Sequence, residues 1–194
     1  PTEVVRSNPD LLSLQAVVAE KRGNSHMALE LMDKALELLD EHSEPRNLVQ
    51  NLIRRSSFLR TLGDYPRALE DCDRAIDLTI NQPDRRDLLA EALRVKGATL
   101  YYMGNPKDGL EHLNHSVLVY QELKDELSQA ILLVDIGQVY TSMGNYISAE
   151  HAYMRSLDYW QRAGNATWLA NILNNLGDLQ RLLGDYETAI TNLE

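Results

Sequence analysis

The chain has 194 residues and a formal net charge of −10, from 19 basic against 29 acidic side chains, and a surface that acidic repels phosphate backbones and argues against direct nucleic-acid contact. Hydrophobic residues at 44% and charged residues at 25% are ordinary for a chain folding in water, and no apolar run approaches the length of a membrane span. The single cysteine excludes an internal disulfide framework and fits a reducing, cytoplasmic setting.

Five short phrases recur: RGNSHMA, LGDYPRA, MGNPKDG, MGNYISA and LGDYETA. Their glycines, Gly23, Gly63, Gly104, Gly144 and Gly184, stand 40, 41, 40 and 40 residues apart. A fixed period of this size marks a stacked repeat array. In the first unit, about 9–48, an apolar helix with Leu12 and Ala16 is expected to end at Gly23, and a second with Ala28, Met32 and Ala35 to follow. The second unit, 49–89, carries Leu52 and Ser56 before Gly63, then a helix from about Pro66 to Leu78 with Ala68, Cys72 and Ala75. The third, 90–129, repeats the pattern with Leu93 and Gly97, then Gly109, Leu113 and Ser116. The fourth, 130–169, has Leu133 and Gly137, then Ala149, Tyr153 and Ser156. The fifth, 170–194, has Leu173, Gly177 and Ala189, and stops just past Leu193, in the column held by Met32, Cys72, Leu113 and Tyr153. A chain that opens on Pro1 and breaks off inside a repeat reads as a segment of a longer array.

The columns have a physical reading. Leu133, Ile136, Val139, Tyr140 and Met143 share one helical face. A glycine just past such a segment can take the left-handed conformation that ends a helix, and the Asn or Asp after each one suits a turn. Two helices joined so tightly are antiparallel neighbours. Small residues where they cross allow axes roughly 8–10 Å apart. One hairpin cannot bury both its faces, so the expected fold is all-α, an α-solenoid of five stacked hairpins with the last incomplete.

Leu133, Ile136-Gly137, Tyr140, Gly144-Asn145-Tyr146, Ala149 and Tyr153, with Leu173, Leu176-Gly177, Gly184-Asp185-Tyr186 and Ala189, resemble the tetratricopeptide repeat. The resemblance covers the whole chain and implies a right-handed superhelix. Two features depart from it. The units exceed the usual length of about 34 residues. The proline after the second helix is absent from its usual place, while Pro45 and Pro83 fall between units, where Pro83-Asp84 can open the next helix.

No Gly-rich phosphate loop, zincin helix or nucleophile elbow is present, so no catalytic residue, metal or cofactor is expected. Cys72 lies on a packing column and reads as core. His112 and His115, beside Glu111, have ligand-like spacing but no second ligand pair, and with His151 beside Glu150 they read as surface residues. Trp160 and Trp168 bracket the loop QRAGNAT and are expected to plug a seam between hairpins.

The resemblance implies that the first helix of each unit lines a concave groove. Carried over position by position, the exposed set is Gln50, Ile53, Arg54, Ser57, Arg60 and Thr61 in the second unit. It is Glu91, Arg94, Val95, Ala98, Tyr101 and Tyr102 in the third, and Ile131, Val134, Asp135, Gln138, Thr141 and Ser142 in the fourth. In the fifth it is Asn171, Asn174, Asn175, Asp178, Arg181 and Leu182. Arg54, Arg60 and Arg94, with Tyr101 alongside, form a basic end suited to carboxylate or phosphate. Gln138, Asn171, Asn174, Asn175 and Asp178 form an amide-rich end suited to a peptide backbone or sugar hydroxyls. The carboxylate clamp of chaperone-binding members does not match, because Ser13, Val17 and Arg54 occupy its positions.

Long units with LGDY turns also resemble the arrays of large bacterial LuxR-type and maltose-activator-type transcription regulators. That implies a signal-receiving segment binding a protein, a peptide or a small-molecule inducer. The alternative is a scaffold holding an extended peptide on stacked asparagines, as in kinesin light chains, although here the asparagines are confined to one unit. An apolar array end would also permit self-association.

Overall fold

The computed structural model describes residues 8–39 and 45–185. The expected fifth-unit features at Tyr186, Ala189 and Leu193 lie outside them. Among the described residues nine helices run in order: α1 (Pro9–Lys21), α2 (Ser25–Glu37), α3 (Pro45–Thr61), α4 (Tyr65–Asp77), α5 (Arg86–Tyr102), α6 (Pro106–Glu122), α7 (Glu126–Ser142), α8 (Tyr146–Ala163) and α9 (Ala166–Leu183). Helices α1, α3, α5 and α7 each pair with the even-numbered helix that follows, and each even-numbered helix packs on the first helix of the next unit. The all-α solenoid expected from the repeat is the fold observed.

The five glycines have φ between 72° and 96°, all left-handed. Around Gly23 its N–H donates to the Glu20 carbonyl at 2.8 Å and the Asn24 N–H to the Ala19 carbonyl at 3.0 Å, closing the end of α1. The residue after the glycine then caps the next helix. The Asn24, Asp64 and Asn145 side chains accept from the backbone N–H groups of Met27, Arg67 and Ser148. Two residues thus end one helix and start the next. Pro45 is the first residue of α3 rather than a loop residue, and Pro83 opens a single 3-10 turn, Pro83–Arg85, directly ahead of α5.

The small columns are buried where the hairpin helices cross: Ala16, Ser56, Ala28, Ala68 and Ala149 are all fully buried. At Gly137 the Tyr153 ring stands where a Cβ would be. In the third and fourth units the later small column is serine. Ser116 and Ser156 donate to the carbonyls of Ala90 and Ala130, both at 2.7 Å, which satisfies a buried hydroxyl across the hairpin. Ala149→Leu is expected to overpack its crossing and cost about 1–3 kcal/mol, read as a lower urea midpoint. An unchanged midpoint would refute the packing column.

Cys72 is fully buried, and burial pushes its thiol up to about 12, as suits a core residue rather than a nucleophile. Trp160 is buried and stacks on Trp168, ring centroids 4.9 Å apart and planes 8° from parallel, closing the seam between α8 and α9. His112 differs from its surface reading. It is half-buried, and burial, then Lys96, hold its pKa below the ordinary histidine value. Among the described residues no cluster of three or more His, Cys, Asp or Glu could hold a metal ion. No described helix is long and apolar enough to cross a membrane.

Candidate functional site

The first-helix face is built by α3, α5, α7 and α9, and the structure sorts its expected residues into three kinds. Ile53, Val95 and Val134 are not exposed: they are 2%, 2% and 5% accessible. Ile53 and Val95 pack with Leu88 and Ala92 between α3 and α5, and Val134 packs with Leu176 and Tyr153. Successive first helices approach closely enough that these three side chains face the seam, not the groove.

The basic end comes together, but with a partner. Arg94 on α5 and Asp135 on α7 form an ion pair at 3.5 Å, with side chains 30% and 31% exposed. Burial holds the Asp135 carboxyl above its usual pKa; the Arg94 charge, its hydrogen bond and then the Arg60 charge pull it partly back. Arg60 on α3 therefore reaches the same carboxylate through its field. Its guanidinium lies over the Tyr102 ring, 5.2 Å from the centroid, and its buried Nε has no hydrogen-bond partner among the described residues. Tyr102 leans on Tyr101, centroids 5.1 Å apart. The Arg94–Asp135 pair thus joins α5 to α7, and Arg60 on α3 adds only its field to the same carboxylate.

Arg54 stands apart from that group. It is exposed, and it lines a cavity of about 260 Å³ with Asp10, Asn47, Gln50 and Asn51. The cavity floor includes a buried polar pair, the Ser13 hydroxyl donating to Asn51 Oδ1 at 2.6 Å. The sequence reading missed this pair, although Asn51 breaks a column otherwise held by Leu11, Ala92, Leu132 and Ile172.

At the amide end, Gln138, Asn171, Asn174 and Asp178 are exposed and Asn175 is half-buried. Asp178 is drawn to Arg181 on its own helix at 3.6 Å. Tyr153 is buried, and burial holds its hydroxyl above its ordinary pKa, with Thr141 pulling it partly back and the Tyr101 and Asp178 charges pushing it the same way as burial.

A larger recess, about 660 Å³, lies away from this face, between α2, α3 and α4. Arg55 stands in its wall. Its Nε and Nη2 donate to both oxygens of Asp71 at 2.7 and 2.6 Å, and its Nη1 donates to Asp33 at 2.9 Å. Lys96 and Asp73, 2.6 Å apart, repeat the inter-unit half of this network one unit later. Both cations and both acids recur at the repeat spacing, a signal the sequence reading left unused. With its donors committed to two carboxylates, Arg55 ties its own hairpin together and to the preceding unit rather than holding a ligand.

No curated protein matched the chain in sequence. Similar solved structures include BtubC from P. vanneervenii, at 18% identity and TM-score 0.80, covering 95% of this chain and 76% of that one. A signal transduction ATPase with numerous domains from Pyrococcus horikoshii, described as having a tetratricopeptide repeat sensor, is similar at 17% identity and TM-score 0.83. The match covers 97% of this chain and 28% of that protein. A Rap protein complexed with competence and sporulation factor is similar at 15% identity and TM-score 0.72, covering 95% of this chain and 61% of that one. At these identities the likeness is one of fold. The tetratricopeptide repeat family model matches residues 88–158 and 128–194, together more than half of the sequence. With the glycine turns, small-residue crossings and stacked hairpins described above, this places the chain in the tetratricopeptide repeat family.

Proposed function

We propose that this segment is a non-catalytic binding module whose first-helix face receives a protein or peptide bearing acidic groups. In the whole protein it would be the signal-receiving region of a bacterial transcriptional regulator. The observation that carries the binding reading is the placement of Arg60 and Arg94 from successive units on one face, with exposed Arg54 apart on the same face and exposed amides beyond. Arginines offer paired donors to carboxylates, and amides can hold a peptide backbone. The regulator reading is supported by the fold likeness to a signal transduction ATPase described with a repeat sensor. A scaffold holding an extended peptide is the second reading, favoured by Asn171, Asn174 and Asn175 on α9.

The first experiment is a thermal-shift screen against acidic peptides, metabolites and small oligosaccharides. Stabilisation by acidic peptides is the expected result; stabilisation only by a neutral small molecule would replace it with an inducer site. Arg54→Ala with Arg94→Ala is expected to leave the circular dichroism spectrum intact and weaken an acidic ligand about tenfold or more, since hydrogen bonds to charged groups contribute about 1.5–3 kcal/mol each. Equal binding by the double variant would remove the basic end from the site.

A further inference from the structure

We propose that Asp135 is a resident counter-anion of this groove: it occupies the seat formed by Arg60 and Arg94 until an acidic group of a bound peptide displaces it. The inference rests on the acidic-ligand reading above and names the residue that sets its strength. The molecule itself provides the comparison. Two ion pairs that join successive units are short: Arg55 donates to Asp33 at 2.9 Å, and Lys96 to Asp73 at 2.6 Å. The Arg94–Asp135 pair is different. Its single contact is 3.5 Å, longer than the roughly 2.7–2.9 Å of a charge-assisted hydrogen bond. Both side chains remain about a third exposed.

Arg60 adds unused capacity. Stacking on Tyr102 fixes its guanidinium, yet no hydrogen bond to Asp135 is formed and Nε stays unpartnered among the described residues. The short aspartate side chain on α7 offsets at most one of the two arginine charges and satisfies the donors of neither. A carboxylate on a flexible ligand could approach between them and offer both oxygens. Asp135 would then lose its cationic partners and lie beside a second negative charge, a like-charge contact that weakens binding. Affinity for an acidic ligand is therefore held down by this residue.

The test is fluorescence anisotropy with fluorescein-labelled hexaglutamate, and labelled hexaglutamine as the neutral control. Asp135→Asn keeps the shape and removes the charge. It is expected to tighten hexaglutamate binding about tenfold or more, because a like-charge contact in a binding site is strongly unfavourable, and to leave hexaglutamine unchanged. Arg94→Ala added to Asp135→Asn should abolish the gain. Asp135→Ser is the second variant, in case Asn fails to fold by circular dichroism, and must shift affinity in the same direction. A merely structural Asp135 would lower the melting temperature without tightening binding. If Asp135→Asn leaves hexaglutamate affinity unchanged or weaker while Arg94→Ala abolishes it, the counter-anion role is overturned and the acidic groove survives. If hexaglutamate binds neither the unaltered protein nor the Asp135 variants, or binds regardless of Arg54, Arg60 and Arg94, both readings fall together.

Discussion

Arg55→Ala is expected to destabilise the array by about 3–5 kcal/mol, the scale for removing one partner of a buried ion pair. The reason is Asp71. Its side chain is 7% exposed, and both its oxygens accept from Arg55. Without the guanidinium that carboxylate stays buried with its charge uncompensated, or takes up a proton at a cost. Asp33, 36% exposed, can turn to water and contributes less. Urea denaturation of the variant measures the loss; a change under about 1 kcal/mol would mean that water reaches Asp71 and the pair is a surface one. The array itself indicates how to rescue the variant. In the columns of Arg55 and Asp71 the fourth unit carries Ile136 and Ala152, and in the column of Asp33 the third unit carries Asn114. Ile136 and Ala152 are buried in one apolar cluster. Arg55→Ile with Asp71→Ala and Asp33→Asn copies that solution and is expected to recover most of the stability, because a buried ion pair replaced whole by apolar packing is often neutral.

Gly97→Ala is expected to cost about 1–3 kcal/mol through overpacking, even though alanine is the better helix former by about 1 kcal/mol. A Cβ at Gly97 would lie 2.7 Å from the Gly109 carbonyl oxygen and 2.7 Å from Leu113 Cγ. The reverse contact, a Cβ at Gly109, would lie 2.6 Å from the Gly97 carbonyl. The obstruction on both sides is backbone, so no rotamer change relieves it. The α5 and α6 axes must separate, and the packing of Leu93 and Leu113 loosens with them. A lower urea midpoint is the expected reading; a stabilised variant would mean that the hairpin can open at this crossing and that glycine there is a matter of helix propensity alone.

The repeat register was legible because it is written in local chemistry. Gly-Asn and Gly-Asp mark helix ends wherever they fall, since one residue takes positive φ and the next supplies a capping oxygen. Small residues at fixed distances from that turn mark the crossing because the turn fixes how the two helices meet. Cys72 and Trp160 could be assigned to packing on those grounds. The groove was harder. Arg54, Asn171 and Asn174 stand exposed where the family pattern places them, but Ile53, Val95 and Val134 turn inward. Adjacent helix positions differ by about 100° in direction, so a small rotation between units moves a residue from rim to seam.

From the sequence alone follow the all-α architecture, the length of each unit, the helix ends and the small-residue crossings, because each depends on residues within one hairpin. The tertiary structure decided what meets across units: Arg94 with Asp135, Arg60 with Tyr102, Ser13 with Asn51, and Arg55 with Asp33. Those pairs lie 22 to 42 positions apart in the chain. Contacts of that kind are set by the rotation and spacing of one rigid hairpin on the next, which the periodicity within a single helix does not encode.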